Sequence, residues 1–248
     1  LDKQMEEDHW KALRNFTHAR IAMGRAGNAL PTSEVLNLRM AHALARDAVQ
    51  AEMDYISLSE KLIALGLNVQ TVKSLATDRI DYIRNPNKGR LLDETSRLKL
   101  ETLQTEKTDL CIIFADGLSA DAVNLHALPL IEMLLKELSF WSIAPLVLAT
   151  QGRVGLSDPI GEALKARISL ILLGERPGLS APTSLGAYIT YQPQSGNTDE
   201  KRNCVSNIQP AGLSYEAAVA KISYLLHEMR SKQLSGVQLK DNQQNNLL

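Results

Sequence analysis

The 248-residue sequence is most informative first through what it has little of. With 27 basic and 28 acidic residues its net charge is −1, which argues against a surface dedicated to nucleic acid or anionic membrane. No apolar run approaches the ~20 residues needed to span a bilayer. The N-terminus, LDKQMEEDHWK, is charged and lacks a signal-peptide core. Two cysteines, Cys111 and Cys204, are too few for a disulfide framework, and the five histidines are too dispersed for metal-ligand spacing. Cytoplasmic residence is the resulting expectation. Nucleotide and nucleophile signatures are missing as well. There is no G-x-G-x-x-G after the first strand-like run, no G-x-x-x-x-G-K-[ST] loop and no G-x-S-x-G elbow.

What is present divides into two textures. Residues 1–105 read as a helical N-terminal region. Trp10, Leu13, Phe16 and Met23 recur at roughly helical spacing until the breaker GRAG (24–27). Pro31, Thr32, Ser33 and Glu34 then supply the start chemistry of a second helix, a third covers about 53–65, and a mixed-charge helix follows the turn-rich RNPNKGR (84–90). No strand is expected before residue 109. Residues 106–235 carry DLCIIFA (109–115), IAPLVLA (143–149) and ISLILLG (168–174). Such continuous apolar runs suit strands covered on both faces. GAYITYQ (186–192) is a fourth strand candidate. Between the runs lie a helix broken or restarted at Pro129, a short helix capped by Ser157 or Asp158, and a last helix with an apolar stripe from Tyr215 to Met229. The fold expected is α/β: a Rossmann-like, open, mostly parallel sheet preceded by a helical segment, with residues 236–248 a disordered tail.

In such a sheet ligands bind outside the carboxyl ends of the strands, where DGLSAD (116–121), TQGRVGLSD (150–158) and GERPGLS (174–180) converge. Together these loops present Asp116, Asp121, Arg153, Asp158, Glu175 and Arg176. Each has an ordinary alternative. Asp116 and Gly117 read as a strand-to-helix turn with Ser119 capping the next helix. Glu175 and Arg176 fit a surface ion pair, and Cys204 an unreactive thiol. By itself the polar rim without a catalytic constellation fits a binding or subunit role better than a stand-alone enzyme. A nucleotide- or sugar-phosphate-binding enzyme using Asp116 and Arg153 is the rival reading.

Six blocks, in order, resemble the small (light) subunit family of ethanolamine ammonia-lyase. They are THARIAMGRAGNALPTSEVLNLRMAHALARDAV (17–49), YIRNPNKGR, FADGLSADAV, GRVGLSDPIGE, LLGERPGLS and RNCVSNI, and they span nearly the whole chain. The resemblance implies a large-subunit partner with a (β/α)8 barrel holding ethanolamine, in a hetero-oligomer built from large–small heterodimers. It also implies adenosylcobalamin between the two chains, whose cobalt–carbon homolysis starts a radical migration of the amino group that ends in acetaldehyde and ammonia. The family's cobalamin contacts fall here on Val154, Glu175 and Cys204. Glu175 would accept from a corrin amide, held out by its flanking glycines; Val154 and Cys204 would act through backbone groups. Arg153 and Arg176 would orient Glu175 or meet the nucleotide tail. Cobalamin in this family keeps its own dimethylbenzimidazole as lower ligand, in keeping with the absence of a D-x-H-x-x-G loop. Family members of microcompartment-forming bacteria often carry a longer N-terminal extension, and the start of this sequence so near the helical region argues against encapsulation.

Overall fold

The computed structural model describes residues 10–17, 19–103 and 106–240. Six strands form one sheet: β1 (Val69–Lys73), β2 (Thr108–Ala115), β3 (Leu146–Thr150), β4 (Ala166–Gly174), β5 (Leu185–Tyr191) and β6 (Arg202–Ile208), in the order β1-β3-β2-β4-β5-β6. The first four are mutually parallel, and β5 and β6 extend them as an antiparallel edge. The three continuous apolar runs are the central parallel strands, as anticipated. Their continuity has the expected cause, because helices cover both faces. Leu110, Ile112 and Phe114 of β2 and Leu170 and Leu172 of β4 face one core, together with Leu130 and Leu134 of α5 (Ala120–Glu137) and Ile222 and Leu226 of α7 (Tyr215–Lys232). The alternate residues Cys111, Ile113 and Ile171 face a second core with Ile160 of α6 (Ser157–Ala163) and Leu100 of the mixed-charge helix, Glu94–Leu103.

Several expectations are corrected. β1 lies within the stretch read as helical. Its burial alternates and only Val72 is buried, so it shows no apolar run, yet it pairs in register with β3. RNCVSNI, not among the expected strands, is edge strand β6, buried only at Arg202, Val205 and Ile208. Pro129 neither breaks nor restarts α5, which runs unbroken through it. The carbonyl it deprives of a partner belongs to Leu125, an exposed residue. The first expected helix is only a 3₁₀ turn, Lys11–Phe16, whose Trp10 and Phe16 are exposed. Periodicity without a surface to bury against does not hold a helix. Helices do occupy Thr32–Gln50 (α1), Tyr55–Ala64 (α2) and Arg79–Arg84 (α3), and the mixed-charge helix Glu94–Leu103 is α4. The chain from Gly236 is docked as far as Lys240: Leu239 is buried, and Asn203 of β6 accepts from the Gly236 amide (2.6 Å) and donates to the Leu239 carbonyl (2.9 Å). Residues 241–248 lie outside the described residues.

Candidate functional site

β3 lies on one side of β2 and β4 on the other, so the winding reverses at β2 and the loops beyond the carboxyl ends of these strands meet. At the base is Asp116, buried at the end of β2. Its carboxylate accepts from the amides of Gln151 and Gly152, both at 2.9 Å, and faces Arg79 at 3.6 Å. Burial pushes its pKa up, against those bonds and the Arg79 charge. Asp116 thus ties the β2 and β3 loops together, as a structural turn residue. Ser119 occupies the N-cap position of α5, but its hydroxyl donates to the Pro182 carbonyl (2.9 Å) and accepts from no helix amide. It staples that helix to the loop after β4.

Glycine serves the same packing. A Cβ on Gly117 would lie 2.1 Å from the Gly174 carbonyl oxygen, and one on Gly174 would lie 1.9 Å from that of Ser119. The glycine preceding Glu175 therefore lets two loops close on each other.

Above this floor is an open cleft of about 640 Å³, lined among others by Tyr82, Arg153, Val154, Glu175, Arg176 and Cys204. The three residues singled out by resemblance, from the loops after β3 and β4 and from β6, share it. Val154 opens the 3₁₀ turn Val154–Leu156, its carbonyl accepting from the Ser157 hydroxyl at 2.9 Å. Glu175, half-buried, accepts from Ser184 Oγ (2.7 Å) and the Asn207 amide (3.2 Å) on Oε2, and from Ser206 Oγ (2.5 Å) on Oε1. A carboxylate offers about four acceptor positions, so about one remains, on Oε1. The expected orienting role of Arg153 and Arg176 is not found. Serines and an amide hold Glu175, and Arg153 stacks on the Tyr82 ring with its guanidinium carbon 4.4 Å from the centroid. The buried Nε of Arg153 has no acceptor among the described residues.

Cys204 is exposed and its pKa is raised by desolvation and the Glu175 charge, with a hydrogen bond from Tyr188 working the other way. It is a neutral thiol at neutral pH. Cys111 is buried inside β2 and pushed up to about 12, the small apolar residue anticipated. His126 is a packing residue, bonded through Nδ1 to the Tyr215 hydroxyl at 2.7 Å; burial lowers its pKa. Neither Ser157 nor Asp158 caps α6: the first bonds backward to Val154, and the second is buried in an ion pair with Arg202. Among the described residues no group of three or more His, Cys, Asp or Glu side chains is placed to hold a metal ion, and no helix is long and apolar enough to cross a membrane.

The family model of the ethanolamine ammonia-lyase light chain matches residues 7–240. The chain belongs to that family. Among its relatives, a protein of Azotobacter vinelandii named ethanolamine ammonia-lyase small subunit is 48% identical over 240 residues, covering 95% of this chain and 89% of its own length. One of the same name from Pseudomonas putida is 47% identical over 250 residues, covering 97% and 91%. Within this ammonia-lyase light chain, the residues that sequence reading missed are those that build the cleft wall. Tyr82 donates to the Gly152 carbonyl (3.0 Å), and Gly89 accepts from the Arg153 amide (2.8 Å), both from YIRNPNKGR. That segment was legible as a turn. Nothing local to it marks Tyr82 as the platform for a loop some seventy residues away.

Proposed function

We propose that this chain is the small subunit of an adenosylcobalamin-dependent ethanolamine ammonia-lyase, and that its cleft forms one wall of the cobalamin site at the interface with a large subunit. Family membership supports the ammonia-lyase reading. The observation that carries the finer one is the meeting of Val154, Glu175 and Cys204 on a single cleft.

The cleft suits a corrinoid edge. Glu175 retains an acceptor position for a side-chain amide. Val154 and Cys204 offer small apolar surface and backbone groups. Pockets of a few hundred cubic ångströms enclose drug-sized ligands. Cobalamin, several times heavier, would leave most of its surface uncovered here, which supports a second chain over it. When bound, the cofactor supplies the cobalt–carbon homolysis that initiates amino-group migration. This chain's part is to accept a hydrogen bond from a corrin amide at Glu175, to hold the rim in one orientation and to exclude water from its side. Cys204 has no reactive role, and no residue here touches substrate. The rival reading as a stand-alone enzyme is weakened at Asp116, which accepts from two loop amides.

Reconstitution tests the proposal. Mixing this chain with its large subunit and adenosylcobalamin should release acetaldehyde from ethanolamine, while either chain alone should not. Full activity of the large subunit alone would refute it.

A further inference from the structure

Four strand spacings separate β3, which carries the Val154 turn, from β6, which carries Cys204. At ~4.8 Å each that is roughly 19 Å of sheet. A ladder of backbone hydrogen bonds fixes strands to their neighbours but only loosely fixes one wall of a cleft to the other, because twist accumulates across a sheet. A buried side-chain link crosses this gap directly. Asp158, four residues after Val154, meets Arg202, two residues before Cys204, in a two-point fork: Nη1 to Oδ1 at 2.9 Å and Nη2 to Oδ2 at 2.6 Å. Both side chains are 3% exposed.

The rest of the guanidinium is equally committed. Nη1 also donates to Thr190 Oγ1 (3.2 Å), Nη2 to the Asn197 carbonyl (3.3 Å) and Nε to Asp199 Oδ1 (3.3 Å). All five N–H groups of Arg202 thus have an acceptor, which leaves it one orientation. Asp199 accepts in turn from Arg90 at 2.9 Å, on the far rim of the cleft. Burial works against the Arg202 cation, but the bonds from Asp158 and Asp199 outweigh it and raise its pKa.

A buried pair of this kind is a poor device for stability, since apolar residues of similar volume commonly do as well. Directional forks are better at fixing relative position. Resting on the cobalamin reading above, we infer that Asp158 and Arg202 are positioning residues of the cofactor cleft: they set the distance between its Val154 and Cys204 walls and so its fit to the corrin rim. They act through the walls and carry none of the chemistry.

Two variants of the large–small complex test this. Arg202→Lys keeps a cation but loses the fork. The pair Asp158→Leu/Arg202→Met fills the space without charge and protects the fold. Cyanocobalamin binding is read by equilibrium dialysis, which needs no turnover, beside the melting temperature, co-elution of the subunits and the KM values for adenosylcobalamin and ethanolamine. At least the double variant should melt within a few degrees of the native complex and co-elute as it does. Cyanocobalamin affinity should fall about tenfold in both, the scale of loosening an outer support of a ligand site. KM should rise for adenosylcobalamin and not for ethanolamine. Unchanged cobalamin affinity in folded variants overturns the inference, as does loss of fold in both, which would make the pair a stability element. Failure of the native complex to bind cyanocobalamin would instead sink the cofactor reading itself, and this inference with it.

Discussion

Glu175→Gln isolates the proposed contact with the cofactor. The substitution keeps length and shape, so the change is one of charge and of donor–acceptor balance. In the native cleft the carboxylate takes three hydrogen bonds from this chain and keeps about one acceptor position. Glutamine has a single oxygen. The Asn207 amide has no freedom to turn away, so the oxygen must stay with it and with Ser184, while the Ser206 hydroxyl can rotate to accept from the new NH₂ group. The internal network therefore survives at a cost of about 1 kcal/mol. The position facing the cofactor becomes a donor instead of a charged acceptor. A hydrogen bond to a charged group contributes about 1.5–3 kcal/mol, which converts to a loss of roughly 10- to 150-fold in cobalamin affinity. Equilibrium dialysis of the large–small complex with cyanocobalamin measures it, with gel filtration to show that the subunits still associate. Affinity within twofold of native in an intact complex would refute the assignment of Glu175.

Three further outcomes follow from the same structure. Gly174→Ala places a methyl against the Ser119 and Asp116 carbonyl oxygens and should destabilise the chain by about 3 kcal/mol or more, seen as a fall in melting temperature; a shift under 2 °C would show that the loops can part. Cys204→Ser should retain most of the turnover of the complex, because the proposed contact needs backbone and not sulfur, and abolished turnover would contradict that. Asp81 accepts from the Thr77 amide, Lys88 and Asn85, which hold its carboxyl below the usual range. A lowered folded-state pKa means stability that is present above the unfolded value of ~3.9 and lost as pH falls through the folded value. The melting-temperature gap between native chain and Asp81→Asn should accordingly be full at pH 6 and close as the pH drops below 4. A gap independent of pH would remove the ionic explanation.

How far the sequence alone led can be judged strand by strand. β2, β3 and β4 were legible because both their faces are buried, and a run such as LCIIFA has no other economical reading. β1 and β6 were not. Each is an edge strand with mostly exposed or half-exposed residues and partners distant in sequence: the Ser96 and Lys99 side chains bond the backbone of β1, and the Asn203 side chain of β6 holds the Gly236 segment. The convergence of three loops at the carboxyl ends followed from topology. The partners within them did not. Asp158 read as a cap because it stands before proline at a helix start, whereas its partner Arg202 is 44 residues away across the sheet. Glu175 paired on paper with its neighbour Arg176, yet its actual partners are Ser184, Ser206 and Asn207. Local charge spacing shows which groups are available. It does not show which of them fold together.

The central claim is that this cleft is half of a cobalamin site. Titration of cyanocobalamin, followed by equilibrium dialysis, into this chain, into its large subunit and into the two together tests it most directly. The account predicts tight binding only when both chains are present, and loss of that binding with Glu175→Gln. Equally tight binding by the large subunit alone would contradict it.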